Sequence, residues 1–164
     1  MARAVILFGL LLTVACAPAA TPAPAVPTAP STPTIPALID PASSWIEVDL
    51  ARQTVILHEE GALTARLAAS TGVTSDPRYA TPPGLYQVQS KDKGPVESTP
   101  GVFVTDVVMF DLGAGNGFHS RPIDAEGNLL DETLGRPSTA GCVRVGESAR
   151  LYDFARIGMK VWIH

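Results

Sequence analysis

Prolines recur every few residues from Pro18 to Pro41, in a segment otherwise made largely of Ala, Thr and Ser. Proline cannot donate to a helix or sheet ladder, so residues 17–44 cannot build a hydrogen-bonded core and favour extended polyproline II. They are expected to form a semi-rigid spacer, at about 3.1 Å per residue. Of the 164 residues, the 120 from Trp45 to His164 are left to fold. That is enough for one domain.

Ahead of the spacer, Arg3 supplies a positive charge and Ala4 to Ala15 is a run of apolar and small residues broken by one Thr. The run suits a signal-peptide core and is too short for a bilayer span of about 20 residues. It ends in Leu12-Thr13-Val14-Ala15-Cys16, which resembles a bacterial lipobox, in which the Cys is lipidated and becomes N-terminal. Ala15-Cys16-Ala17 also reads as an ordinary cleavage site. Both readings export the protein. The lipobox reading is preferred, because a cysteine placed there otherwise has no role. Residues 1–16 are therefore read as a signal peptide with a lipobox, 17–44 as a tether and 45–164 as the working domain. A lipid on Cys16 would hold that domain in the cell envelope, at the outer face of the cytoplasmic membrane.

Inside the domain, Trp45-Ile46-Glu47-Val48-Asp49-Leu50 alternates apolar and polar residues, as a half-buried strand does. Gln53 to His58 follows after a short connection, so the two read as a hairpin. Leu63 to Ser70, Leu85 to Gln89, Val102 to Phe110 and Met159 to Ile163 read as further strands. Thr71 to Gly84 reads as a loop and Ser120 to Ala140 as a long polar excursion. The one helix expected is Glu147 to Ile157, where Leu151, Phe154 and Ala155 fall at i, i+3 and i+4. Many short strands and one late helix imply a mainly β sandwich or barrel. The formal net charge is −4. With no basic cluster, nucleic-acid binding is not expected.

The chain has two cysteines, Cys16 and Cys142. With Cys16 acylated or cut away, Cys142 stands alone in an oxidising compartment, so no disulfide is expected. It is either a buried small hydrophobe or a thiol in use. Its surroundings, Ser138-Thr139-Ala140-Gly141-Cys142-Val143-Arg144, favour use. A glycine before the nucleophile lets backbone amides approach a reacting carbonyl, as an oxyanion hole requires. Arg144 lies two residues on, on the same side of an extended strand. Its charge, or that of a histidine, would lower the thiol from about 8.5. His119 closes the glycine-rich run Gly113 to Gly117 and is the base candidate. A purely structural histidine is the competing reading. His58, His119 and His164 lack the paired spacing of a zinc site.

At these residues the chain resembles the L,D-transpeptidase (YkuD-type) catalytic domain family, over about Trp45 to His164. The opening hairpin is similar to the family's first strands. Ala69-Ser70-Thr71-Gly72 with Ala80-Thr81-Pro82-Pro83-Gly84 is similar to its S-T-G and T-P-x-G pair. His119-Ser120 matches its upstream histidine, and Ser138 to Arg144 its nucleophile signature. The resemblance implies a mainly β, L,D-transpeptidase-like sandwich or barrel with one short helix near the C-terminus. It also implies that Cys142 is the nucleophile and His119 its base, oriented by the backbone carbonyl of Ser120. Gly141 and Cys142 amides would form the oxyanion hole. Arg144 and Thr139 would serve substrate binding, Arg144 by holding the stem peptide's carboxylate or the site's shape.

The reaction so implied joins peptidoglycan stem peptides. Cys142 attacks a tetrapeptide stem, D-alanine leaves, and an amine of a second stem resolves the thioester. No cofactor and no metal are implied, a monomer suffices, and a carbapenem should add to Cys142. The chain departs from the family at Ala140, where many members carry His, and in the length of the excursion between His119 and Cys142. An L,D-carboxypeptidase of the same fold and a non-catalytic wall-binding module are the alternatives. A sortase fits less well, because its His lies much farther upstream and it lacks the S-T-G and T-P-P-G pair.

Overall fold

The computed structural model describes residues 34–164, together with Met1. The expected signal peptide beyond Met1, Cys16 included, and most of the expected spacer lie outside the described residues. Eleven strands and one helix occur among the described residues. They are β1 Trp45–Asp49, β2 Thr54–Glu59, β3 Ala62–Ser70, β4 Gly84–Gln87, β5 Ser90–Asp92, β6 Val96–Thr99, β7 Val102–Val104, β8 Val107–Asp111, β9 Asn116–His119, β10 Val143–Val145, α1 Ser148–Phe154 and β11 Lys160–Ile163.

Nine of the strands form one sheet in the order β4-β11-β1-β2-β3-β10-β9-β8-β5. Its two edge strands, β4 and β5, are separated in the chain by Val88 and Gln89 alone. Two residues cannot span an open nine-stranded sheet, whose strands lie about 4.8 Å apart. The sheet therefore curls until its edges meet. Val88 N–H bonds to the Met159 carbonyl on one side and Gln89 N–H to the Met109 carbonyl on the other, at 2.9 and 2.8 Å. The inner face holds the core: Ile46 and Val48 of β1, Val55 and Leu57 of β2, Leu67, Val108, Phe110, Phe118, Val143, Val145, Val161 and Ile163, with Leu151 of the helix. Phe110 and Phe118 meet edge to face at 5.2 Å. The separate hairpin β6–β7 stands beside β8 and β9.

The alternating strands of the sequence reading form as expected. The helix is shorter than expected, Ser148–Phe154 in place of 147–157, because Ala155 already has extended backbone, ψ 140°. The spacer also ends earlier than residue 44. Ile39 is buried against Trp45 and Trp162. Turns at Pro36–Ile39 and Asp40–Ser43, and a bond from Gly61 N–H to the Ser43 carbonyl, fix this stretch to the domain. One apolar residue among the prolines found a hydrophobic partner, which composition averages conceal.

Candidate active site

Strands β9 and β10 lie side by side and parallel, with Val143 opposite Phe118 and Arg144 opposite His119. This register brings the end of the glycine-rich run to Cys142, which immediately precedes β10. Cys142 and His119 line one cavity of about 260 Å³. Val96, Ser98 and Val104 of the β6–β7 hairpin and Val107 and Met109 of β8 form its other walls.

The histidine is held on one nitrogen. His119 Nδ1 lies 2.6 Å from the carbonyl oxygen of its neighbour Ser120. A carbonyl only accepts, so Nδ1 carries the proton and Nε2 keeps a lone pair. Ser120 is itself clamped to Thr105: its Oγ accepts the Thr105 N–H at 2.9 Å, and its own N–H bonds to the Thr105 carbonyl at 3.0 Å. The Ser120 carbonyl is thus held against the His119 ring.

The thiol rests in a backbone cradle. Cys142 Sγ donates to the Gly115 carbonyl at 3.6 Å. Gly117 lets β9 lie close against β8 beside the cavity, since a Cβ there would stand 2.7 Å from Met109 Sδ and 2.8 Å from the Val108 carbonyl. Burial pushes the half-buried thiol above its ordinary pKa, and a hydrogen bond with the Gly117 backbone works the other way. Burial also holds His119 below the ordinary imidazole value; the Ser120 bond opposes this and the charge of Arg144 adds to it. The resting pair is therefore a neutral thiol and a neutral imidazole. The sequence reading expected a nearby cation to lower the thiol. The structure differs because Arg144 turns elsewhere.

Arg144 is buried, and its Nη1 bonds to Asp131 Oδ2 at 2.6 Å and the Thr133 carbonyl at 3.1 Å. Ser70 of β3 reaches the same Thr133 carbonyl at 3.2 Å. Of the two roles expected for Arg144, its contacts serve the shape of the site. Thr139 likewise spends its hydroxyl on the Cys142 carbonyl at 2.5 Å. The long excursion is staked to the domain by these bonds and by a bridge between Ile123 and Phe103.

The two loop motifs converge beside Gly141 and Cys142. Thr81 Oγ1 accepts the Gly72 N–H at 2.8 Å and donates to the Gly141 carbonyl at 2.9 Å. Thr71 takes the N–H groups of Ser138 and Thr139 on its carbonyl. Its own N–H and hydroxyl are held by the Gln53 side chain, each at 2.8 Å. Gly141 has φ +109°, and a Cβ there would stand 2.5 Å from Asn116 Oδ1. Only glycine fits on both counts. Among the described backbone bonds none uses the Gly141 or Cys142 N–H. Gln53, Thr71, Thr81, Gly115 and Gly117 were missed as site-supporting residues by the sequence reading. The motif pair and the glycine run were their signals, but their convergence is long-range.

Away from this cavity, His58 and His164 are not scattered. Both bond to Glu47, at 2.8 and 3.0 Å, and stack on Trp45 and Trp162 at 3.8 and 4.1 Å. Among the described residues no His, Cys, Asp or Glu group is arranged to hold a metal ion.

Fold and site define a curled β domain with one thiol and one oriented imidazole in a shared cavity. The model of the L,D-transpeptidase catalytic domain (YkuD) matches residues 43–163, and the chain belongs to that family. Solved structures resemble it at low identity. An L,D-transpeptidase from Mycobacterium tuberculosis H37Rv is 22% identical, TM-score 0.59, covering 74% of this chain and 57% of that one. The L,D-transpeptidase of Xylanimonas cellulosilytica, residues 123–326, is 21% identical, TM-score 0.58, with 75% and 61% covered. That of Mycobacterium smegmatis is 19% identical, TM-score 0.56, with 74% and 58% covered. The matched region spans about three fifths of these three structures. No curated protein matches the chain.

Proposed function

We propose that the domain is a cysteine L,D-transpeptidase that cross-links peptidoglycan stem peptides. One observation carries the reading: Cys142 and His119 line one cavity, and His119 Nδ1 is tied to the Ser120 carbonyl, leaving Nε2 as a base. In the first half-reaction His119 takes the thiol proton as Cys142 Sγ attacks the carbonyl carbon at the L-centre of a tetrapeptide stem. The oxyanion meets the Gly141 and Cys142 amides. The C–N bond to D-alanine breaks, and His119 returns the proton to the leaving amine. In the second, an amine of another stem attacks the thioester, gives its proton to His119, and restores the thiol.

The test is to incubate the purified protein with a stem tetrapeptide, with and without an added amine, and weigh the products. The expected result is loss of D-alanine and a cross-linked mass, both abolished in Cys142→Ser. Hydrolysis that the amine does not divert would make the protein an L,D-carboxypeptidase. Stem binding without turnover in either protein would make it a wall-binding module.

We also propose that Cys16 carries the lipid that anchors the domain to the membrane, on the strength of the apolar run and the small residues before it. More than one acyl chain is needed for stable anchoring. Protein from the native host is expected in the membrane fraction with the mass of a lipidated Cys16. A soluble form beginning at Pro18 would remove the anchor and leave the catalytic reading intact.

A further inference from the structure

Arg144 is a full positive charge buried beside an imidazole. Its backbone is the in-register neighbour of His119 on a parallel strand, and such neighbours point to the same face of a sheet. The residue is 6% exposed. A buried cation with no counter-charge is costly, and here the counter-charge comes from outside the sheet. Asp131, in the excursion between β9 and β10, puts Oδ2 2.6 Å from Arg144 Nη1. Its other oxygen accepts the Thr133 N–H at 2.8 Å, so the carboxylate is held at both ends. Arg144 Nε has no partner, which makes Asp131 and the Thr133 carbonyl the groups that fix the guanidinium.

The remaining surroundings of His119 carry little charge. The walls of the cavity from β6–β7 and β8 are Val96, Ser98, Val104, Val107 and Met109, from β9 Gly117 and Phe118, and from the turn before it Gly115. The one other titratable group in that lining is Cys142. Ser70 of β3 pairs with Arg144 on its far side. The field at the imidazole is thus set chiefly by Arg144 and whatever balances it.

We propose that Asp131 is a positioning residue of the active site, acting through Arg144 to set the pH at which His119 becomes an unprotonated base. The proposal rests on the assignment of His119 as the base, but its readout does not. The Arg144 charge disfavours imidazolium, and Asp131 offsets part of that charge. Removing the carboxylate leaves Arg144 unbalanced, so imidazolium is disfavoured further. The pH at which His119 loses its proton should fall. The excursion thereby gains a function: it delivers a carboxylate to the nucleophile strand, and its length is what lets the chain reach back to Arg144.

The experiment follows the His119 ring by NMR through a pH titration of the full chain, independently of any turnover. In Asp131→Asn, which keeps the side-chain shape, the midpoint should move to lower pH by about 0.5. Asp131→Glu should restore the wild-type midpoint. Arg144→Gln should raise the midpoint, the opposite of Asp131→Asn, because it removes the positive member of the pair. A midpoint unchanged or raised in Asp131→Asn would overturn the proposal, as would a lowered midpoint in Arg144→Gln. Asp131→Ser is the second neutral variant if Asp131→Asn does not fold. If the peptide assay shows no turnover while the midpoints shift as stated, the enzymatic reading falls and this coupling stands.

Discussion

At the scale of single residues, a neutral thiol beside a neutral imidazole behaves differently from a preformed ion pair. Cys142 is raised by burial and His119 is lowered by burial, so in the proposed mechanism proton transfer accompanies attack on the stem peptide. The sign follows for each. Thiolate accumulates as pH rises, and because the thiol is raised, the midpoint of iodoacetamide alkylation should lie above about 8.5. His119 must be unprotonated to act, and because its pKa is lowered, turnover should fall only as pH drops below about 6.5. His119→Ala should cut turnover by about 10²–10⁴-fold. Alkylation rates flat from pH 5 to 8 would signify a thiolate–imidazolium pair and contradict this account. Cys142 and His119 were legible in the sequence as candidates, because thiol and imidazole chemistry is written in the residue types. The direction of their shifts was not, because it is set chiefly by burial, which exists only once distant strands have packed around them.

At the scale of elements, legibility followed amphipathic pattern. β3 buries one side of an alternating run, and β1, β2 and β11, buried on successive residues, declare themselves by their apolar and β-branched content. β9 does not alternate: Asn116, Gly117 and Phe118 are all buried, because the strand lies inside the sheet between β8 and β10. β5, Ser90-Lys91-Asp92, looks like loop, yet it forms the closing edge. The Lys91 Nζ bonds to the Tyr152 and Ala155 carbonyls at the end of α1, so its charge caps a helix. The loops beside Gly141 and Cys142 are likewise joined by hydroxyls and amides that a hydropathy pattern ignores. Thr81 is the sharpest case, being 4% exposed and joining Gly72 to Gly141. Thr81→Val keeps the shape and strands one buried N–H and one buried carbonyl. A loss of about 2–4 kcal/mol is expected, read as a lower urea midpoint at unchanged slope. Turnover should fall with it, because Gly141 loses its anchor. A midpoint equal to wild type would show that water replaces the hydroxyl on both sides.

At the scale of the whole molecule, the curled sheet has two covered faces. The inner face is the core that braces β9 and β10. The outer face of β1, β2 and β11 carries Trp45, Glu47, His58, Trp162 and His164, and the covering there begins with Ile39, 2% exposed. The proline-rich stretch is thus part of the fold at its end, and the domain starts before Trp45. A chain beginning at Trp45 would lose Ile39 and the turn hydrogen bonds of Asp40 and Ser43, and would bare Trp45. Full burial of one Ile side chain is worth about 1.5–3 kcal/mol. The shorter chain is therefore expected to unfold at lower urea than one beginning at Thr34, by about 2–3 kcal/mol, with tryptophan emission shifted to the red before unfolding. Its turnover in dilute urea-free buffer should match the longer chain, since β2 and β3 stand between β1 and the strand that carries the nucleophile. Equal midpoints and equal emission would return residues 36–44 to the role of spacer alone.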